Sequence, residues 1–298
     1  MEEPKIVSSF YKYVGIDNPP EFQQKHLEFC ISLGLKGRIL VGDEGINGCV
    51  YGNKKNVQKY KEELRKNHLF FDIEFKDQKT EKPAYRKLFV RVRKEIVNSG
   101  LDVDLKKTGK FLAPAQLKEM IDKNEDIALV DMRNDYEFRI GKFRNAVTLP
   151  MKNFRELPEA AKKIENLKNK KIVAYCTGGI RCEKATAYLN EIGFKDVSQI
   201  KGGILKFGEE FPDTYWEGKC FVFDDRLAIS LNKNKKESLT ECAWCNKKCD
   251  DYLNCHNIDC DKLFTCCEGC KEKYNKSCSE NCFKSEKRRK EQFSGILI

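Results

Sequence analysis

The stretch that most constrains this chain is Lys171-Ile172-Val173-Ala174-Tyr175-Cys176-Thr177-Gly178-Gly179-Ile180-Arg181. Its first five residues read as a strand buried on both faces, and residues 181–192 read as a helix. A buried strand joined to a helix by so short a loop belongs to an open α/β sheet. Such a sheet holds its ligands at the carboxyl ends of the strands, where the Cys176 sulfur would lie. The paired glycines let several N–H groups converge on one point beside a helix N-terminus, forming an anion cradle. The partial positive charge of that terminus, with the Arg181 guanidinium, favours a thiolate. A cysteine closing a buried strand is often just a small hydrophobe, but packing gives no reason for the Gly-Gly pair or for an arginine five positions on. Cys176 is therefore the candidate nucleophile, with Thr177, Gly178, Gly179 and Arg181 as its cradle. Cys182 is a candidate second, resolving thiol, and equally a candidate buried residue of a first helical turn.

From residue 113 onward the pattern is helix (114–122), strand (127–131), loop, short strand (146–149), helix (153–166), strand (171–175), helix (181–192) and strand (197–200). This alternation predicts a parallel-sheet α/β domain over residues 113–218, with helices on both faces. Residues 1–97 differ. Strands over 10–14 and 37–41, a hairpin at 43–48 leading into 49–51, helices over 20–33 and 54–67, and strands at 72–76 and 87–92 give a β-α-β-β-α-β order. That order predicts a ferredoxin-like α+β sandwich. Residues 98–112, weakly periodic and containing Gly and Lys, read as a linker.

In Lys87-Leu88-Phe89-Val90-Arg91-Val92-Arg93 a period of two places Lys87, Phe89, Arg91 and Arg93 on one side. Leu88, Val90 and Val92 then face a core. With Arg38, these residues form a candidate RNA-binding face, because cations pair with phosphates and aromatic rings stack on bases. A charged solvent face on a half-buried strand is the plainer reading of the same pattern. The net charge of +10 fits an anionic partner, and by charge alone RNA, DNA and acidic membranes all remain open. There is no apolar run of about 18 residues and no secretory order at the start, so an intracellular, cytoplasmic protein without a membrane span is expected.

Ten of the fifteen cysteines lie between Cys242 and Cys282. In a reducing compartment such density points to metal ligands rather than disulfides. The spacings pair Cys242 with Cys245, Cys255 with Cys260, Cys267 with Cys270 and Cys278 with Cys282, leaving Cys249 and Cys266 over. Eight thiolates suit two tetrahedral zinc ions. The expected grouping is interleaved, first pair with third and second with fourth, although Cys249 could replace any of them; redox-active or iron–sulfur cysteines are the competing reading. His256 is expected to be a non-ligand. Residues 219–298 thus read as a C-terminal Cys-rich zinc-binding segment, too short and polar to fold without metal.

Over residues 113–218 the thiol loop, Asp131-Met132-Arg133, Asp135-Tyr136-Glu137-Phe138, Ile140-Gly141-Lys142-Phe143-Arg144-Asn145-Ala146 and Lys201-Gly202-Gly203-Ile204 together resemble the rhodanese family. Lys142 and Asn145 stand where that family more usually has His and Gly. The six-residue loop matches the sulfurtransferase branch, since related phosphatases have a loop one residue longer. A more specific resemblance is to the rhodanese-related tRNA uridine hydroxylases. It rests on Gly34-Leu35-Lys36-Gly37-Arg38-Ile39-Leu40-Val41, Glu44-Gly45-Ile46-Asn47-Gly48 and Val90-Arg91-Val92-Arg93-Lys94-Glu95-Ile96-Val97 in the first domain. It continues through Cys176 to Ala185, Phe221-Val222-Phe223-Asp224-Asp225-Arg226 and the Cys-rich tail.

That resemblance implies oxygen-dependent 5-hydroxylation of uridine at wobble position 34 of tRNA, with Cys176 essential, the anticodon region as partner, molecular oxygen as co-substrate, and no DNA or membrane partner. The residues by themselves show an activated thiol and a candidate RNA platform. They also support a sulfurtransferase that carries a persulfide on Cys176. A catalytically silent RNA-binding adaptor is the third reading, opposed by retention of the thiol. No nucleotide-binding glycine motif is present, and His26, His68 and His256 are the only histidines.

Overall fold

Two asparagine caps and one amphipathic sheet organise the N-terminal part of the computed structural model, which describes residues 4–234 and 237–289. The chain divides into two units, Met1–Val103 and Asp104–Ile298. The first contains β1 (Lys5–Tyr13), α1 (Pro19–Ser32), β2 (Lys36–Gly42), β3 (Gly45–Asn53), α2 (Lys54–Lys66), β4 (Phe75–Thr80) and β5 (Leu88–Val92). The Asn18 and Asn53 side chains accept from the N–H groups of Glu21 and Asn56, satisfying donors that a helix start leaves unpaired. Strand order is β4-β1-β3-β2-β5. The first four strands have the ferredoxin-like arrangement, and β5 is added parallel to β2.

Alternation decides which face is buried. Ile6, Phe10, Ile39, Val41, Ile46, Val50 and Val90 form one core with Cys30 of α1, Leu33 just after it, and Val57, Tyr60 and Leu64 of α2. Burying each such side chain contributes roughly 1.5–3 kcal/mol. Val92 departs from the expected alternation, being 37% exposed, because it ends an edge strand.

The second unit is built on a parallel sheet of order β6-β11-β10-β7-β9. Its elements are β6 (Lys110–Leu112), α3 (Pro114–Asp122), β7 (Ile127–Asp131), α4 (Asp135–Ile140), β8 (Gly141–Phe143), β9 (Val147–Thr148), α5 (Leu157–Ala161), β10 (Lys171–Tyr175), α6 (Ile180–Glu191), β11 (Asp196–Ile200) and α7 (Gly203–Glu210). Three local expectations change. The stretch 98–112 is not a free linker: Lys110–Leu112 pairs with β11, and Thr108 donates to the Glu183 carbonyl. Lysine-rich composition concealed these backbone pairings. The helix expected over 153–166 is interrupted, because Ile164 leaves helical geometry (φ −117°, ψ 17°) and is buried. The loop expected after residue 131 contains α4, whose six residues are too few to show a period.

After α7, β12 (Trp216–Gly218) pairs with β8, and β13 (Cys220–Phe221) pairs with β14 (Ala228–Ile229). The Cys-rich segment contains the hairpin β15 (Tyr252–Asn254) and β16 (Leu263–Thr265), then α8 (Glu268–Lys273) and α9 (Glu280–Lys284). Its small core consists largely of cysteines. Among the described residues no helix is long and apolar enough to cross a membrane.

Candidate active site and metal centres

The thiol loop connects β10 to α6 at the carboxyl edge of the parallel sheet. Gly179 adopts φ +106°, a left-handed conformation that favours glycine, and its N–H donates to Cys176 Sγ at 3.1 Å. The loop is held from behind by the start of α7: Ile204 N–H donates to the Cys176 carbonyl at 3.0 Å and Leu205 N–H to that of Thr177 at 3.1 Å. So close an approach requires Gly203, where a Cβ would lie 2.4 Å from the Cys176 oxygen.

Burial by itself would raise the Cys176 pKa. A hydrogen bond from Cys182, the charge of Arg181 and the N–H groups of Gly179 and Arg181 outweigh it and bring the thiol down to about 5. Cys182 moves the opposite way, pushed well up by burial and by the neighbouring thiolate. The two sulfurs therefore divide into one thiolate and one S–H donor. Cys176 has no exposed surface, so a substrate reaches it only when part of its cover moves. Thr177 and Gly178 are half-buried, and a Cβ on Gly178 would meet nothing within 4 Å; this marks the open side of the loop.

Arg181 does more than face the thiol. Its terminal nitrogens both pair with Glu137, one at 2.8 Å. Burial would lower the arginine pKa, but the Glu137 carboxylate raises it well above its usual value. Glu137 is itself fully buried and also accepts from Asn134 N–H and Thr177 Oγ1. It belongs to the Asp135–Phe138 sequence signature, but no local pattern showed that it would meet an arginine 44 positions away. Beside this pair stands an aromatic wall. The Tyr136 and Phe221 centroids are 5.1 Å apart, and those of Phe221 and Phe223 5.3 Å apart. The Arg181 guanidinium carbon is 5.7 Å from the Phe223 ring centre. Tyr252, from the Cys-rich hairpin, donates its hydroxyl to the Tyr136 carbonyl at 2.9 Å.

In the Cys-rich segment Cys242, Cys245, Cys267 and Cys270 form one group and Cys255, Cys260, Cys278 and Cys282 another, with the sulfurs of each group within 4.8 Å of one another. The Sγ separations are 3.6 Å for Cys245 and Cys267 and 3.6 Å for Cys260 and Cys278. Four sulfurs about 2.3 Å from one ion stand roughly 3.8 Å apart at the edges of a tetrahedron, so both groups fit a tetrahedral metal ion. Cys249, Cys266 and His256 lie outside the two groups.

In the first unit the register sets Arg38 beside Phe89 and Leu40 beside Arg91. Arg38, Phe89 and Arg91 thus share the face opposite α1 and α2, and the Arg91 guanidinium lies 4.7 Å from the Phe89 ring centre. Lys87 and Arg93 flank β5 and are exposed. The same face carries Tyr11 and Tyr13, packed edge to face at 6.1 Å. The sequence concealed them because Phe10-Tyr11-Lys12-Tyr13 mixes aromatic residues on both sides of the strand. His26 is a core residue, hydrogen-bonded to the Tyr60 hydroxyl at 2.9 Å and pushed down to about 4 by burial.

Three family models match the chain: a UPF0176 acylphosphatase like domain over residues 5–96, a rhodanese-like domain over residues 113–210 and a rhodanase C-terminal model over residues 217–283. A protein of Cytophaga hutchinsonii named tRNA uridine(34) hydroxylase is 44% identical over 275 residues, covering 92% of this chain and 88% of that protein. One of the same name from Bacillus licheniformis is 43% identical, covering 95% and 89%. One from Streptococcus pyogenes serotype M6 is 41% identical, covering 99% and 93%.

Proposed function

The chain belongs to the family of the tRNA uridine(34) hydroxylases, and from that membership we propose an oxidoreductase that hydroxylates carbon 5 of uridine at wobble position 34 of tRNA, with Cys176 as nucleophile. The observation that carries the chemistry is the Cys176 sulfur at the end of β10, accepting from the Gly179 N–H at 3.1 Å at the start of α6, where that N–H, the Cys182 thiol and the Arg181 charge favour the thiolate. The thiolate adds to C6 of the uracil ring, and the electron pair of the C5–C6 double bond moves through C5 to O4 as an enolate. The loop N–H groups and the Arg181 charge favour that developing oxyanion. C5 then takes one oxygen atom from a two-electron oxygen donor. Loss of the C5 proton and expulsion of the thiolate restore the double bond. The net change, C5–H to C5–OH, uses dioxygen, two electrons and two protons, and releases water; a reductant must supply the electrons.

In this reading residues 113–218 hold the reacting base, with Thr177, Gly178 and Gly179 shaping the cradle and the Cys182 thiol donating a hydrogen bond to the Cys176 thiolate. Residues 1–97 take the anticodon region on the face of Arg38, Lys87, Phe89, Arg91 and Arg93, joined by Tyr11 and Tyr13, with residues 98–112 connecting the two domains. Residues 219–298 carry two structural zinc ions, for which four thiolates are a well-suited donor set. The enzyme works in the cytoplasm, where its tRNA is.

The test is nucleoside mass spectrometry of tRNA from cells lacking this gene, complemented with wild type or Cys176→Ser. Loss of 5-hydroxyuridine-derived nucleosides, restored by wild type alone, is the expected result. Unchanged nucleosides, together with a thiosulfate sulfurtransferase activity that tracks Cys176, would instead assign the loop to sulfur transfer.

A further inference from the structure

Addition at C6 requires the pyrimidine ring to turn its face to the sulfur; the loop amides offer no plane for the ring's other side to lie on, and the Arg181 guanidinium, which could stack on a base, is buried in its pair with Glu137. Phe223 offers such a plane. It is 37% exposed, beside an arginine of the thiol loop. The other exposed large apolar side chains described in this unit lie elsewhere: Phe111 on β6, and Ile258 and Phe283 in the Cys-rich segment. The footing of Phe223 is rigid. Phe221 behind it is fully buried and packs against Tyr136 and Tyr252. The residues that follow are pinned by Asp224, which accepts from the Arg226 N–H at 3.0 Å and from its guanidinium at 2.6 Å. An aromatic ring kept at the surface on such a base is preorganised to bind a flat partner.

We propose that Phe223 is the base-binding residue for the target uracil, on which the ring of the extruded nucleotide stacks before the cover over Cys176 opens. The inference rests on the hydroxylase reading. Stacking is tolerant of base identity, so Phe223 supplies grip and orientation, and the choice of uridine falls to polar groups of the loop.

The test uses the full-length protein and two anticodon stem-loop RNAs, one with uridine at position 34 and one abasic there. Wild type should bind the uridine RNA about tenfold more tightly than the abasic RNA, as expected for one stacked base, and should hydroxylate it. Phe223→Ala should lose that preference and bind both RNAs as wild type binds the abasic one, while Phe223→Trp restores it. In a Trp216→Phe, Trp244→Phe background the Phe223→Trp substitution supplies the sole indole, whose emission should be quenched by the uridine RNA and not by the abasic one. Phe223→Ala retaining the full preference overturns the proposal, as does a Phe223→Trp variant that still hydroxylates while its indole stays unquenched. A wild type that neither prefers nor modifies the uridine RNA refutes the hydroxylase reading instead, and the base-binding role falls with it.

Discussion

At Cys176 burial and local dipoles pull in opposite directions, and the second wins because the Cys182 thiol, the Arg181 charge and two loop N–H groups converge on one sulfur. Cys182 is the donor that can be changed without moving the backbone. The alkylation rate of Cys176 by a small haloacetamide should follow the thiolate fraction, rising through a midpoint near pH 5 and lost below it. Cys182→Ala removes the S–H donor and should raise that midpoint, whereas Cys182→Ser keeps an O–H donor and should leave it close to the wild-type value. If both variants shift it equally, hydrogen bonding from position 182 does not hold the thiolate. Glu137 teaches the same lesson. A buried carboxylate pairing with Arg181 fixes the side chain that lends its charge to the thiol, and removing one partner of such a buried pair leaves the other uncompensated.

Among the elements, α7 has the largest influence on the site, because its first N–H groups hold the carbonyls of Cys176 and Thr177. Gly203→Ala combines a positive φ of 64° with a 2.4 Å contact to the Cys176 oxygen. It should cost about 1–3 kcal/mol, read as a lower melting temperature, and should raise the Cys176 midpoint. Gly178→Ala, for which a Cβ meets nothing within 4 Å, should melt within about 0.5 kcal/mol of wild type. Equal losses in the two variants would show that α7 does not brace the loop. The two elements that differ from expectation have different causes: near residue 164 burial of Ile164 overrides the helical pattern, whereas α4 has only six residues, too few to show a period.

For the whole molecule, the Cys-rich segment has a core made largely of cysteines, so its folding should depend on metal held by the two four-cysteine groups. Trp244 reports on it, stacked on Tyr274 with centroids 3.6 Å apart and donating to the Ser277 carbonyl at 2.7 Å. In a Trp216→Phe background, stripping metal with a chelator should release two ions per chain, the number given by two four-cysteine groups, and shift Trp244 emission to the red. Release of both ions with unchanged emission would mean that the segment is held by its own packing. The first unit, which has its own core, should keep its melting transition through this treatment.

How much was legible follows from the range of the interactions. Strand and helix periods and paired glycines are local signals, so the residues alone were enough for the thiol loop, the parallel sheet around it and the ferredoxin-like order of the first unit. They also named the eight short-spaced cysteines. Folding in three dimensions brought together the interleaved cysteine pairs that the spacing suggested, set Tyr11 and Tyr13 on the same sheet face as Arg38, Phe89 and Arg91, and joined residues 110–112 to the second sheet. It alone brought Glu137 to Arg181, the Gly203 turn to the back of the thiol loop, and Phe223 to its side. Those partners lie far apart along the chain, and their meeting depends on packing and on burial of charge that no short window of residues encodes.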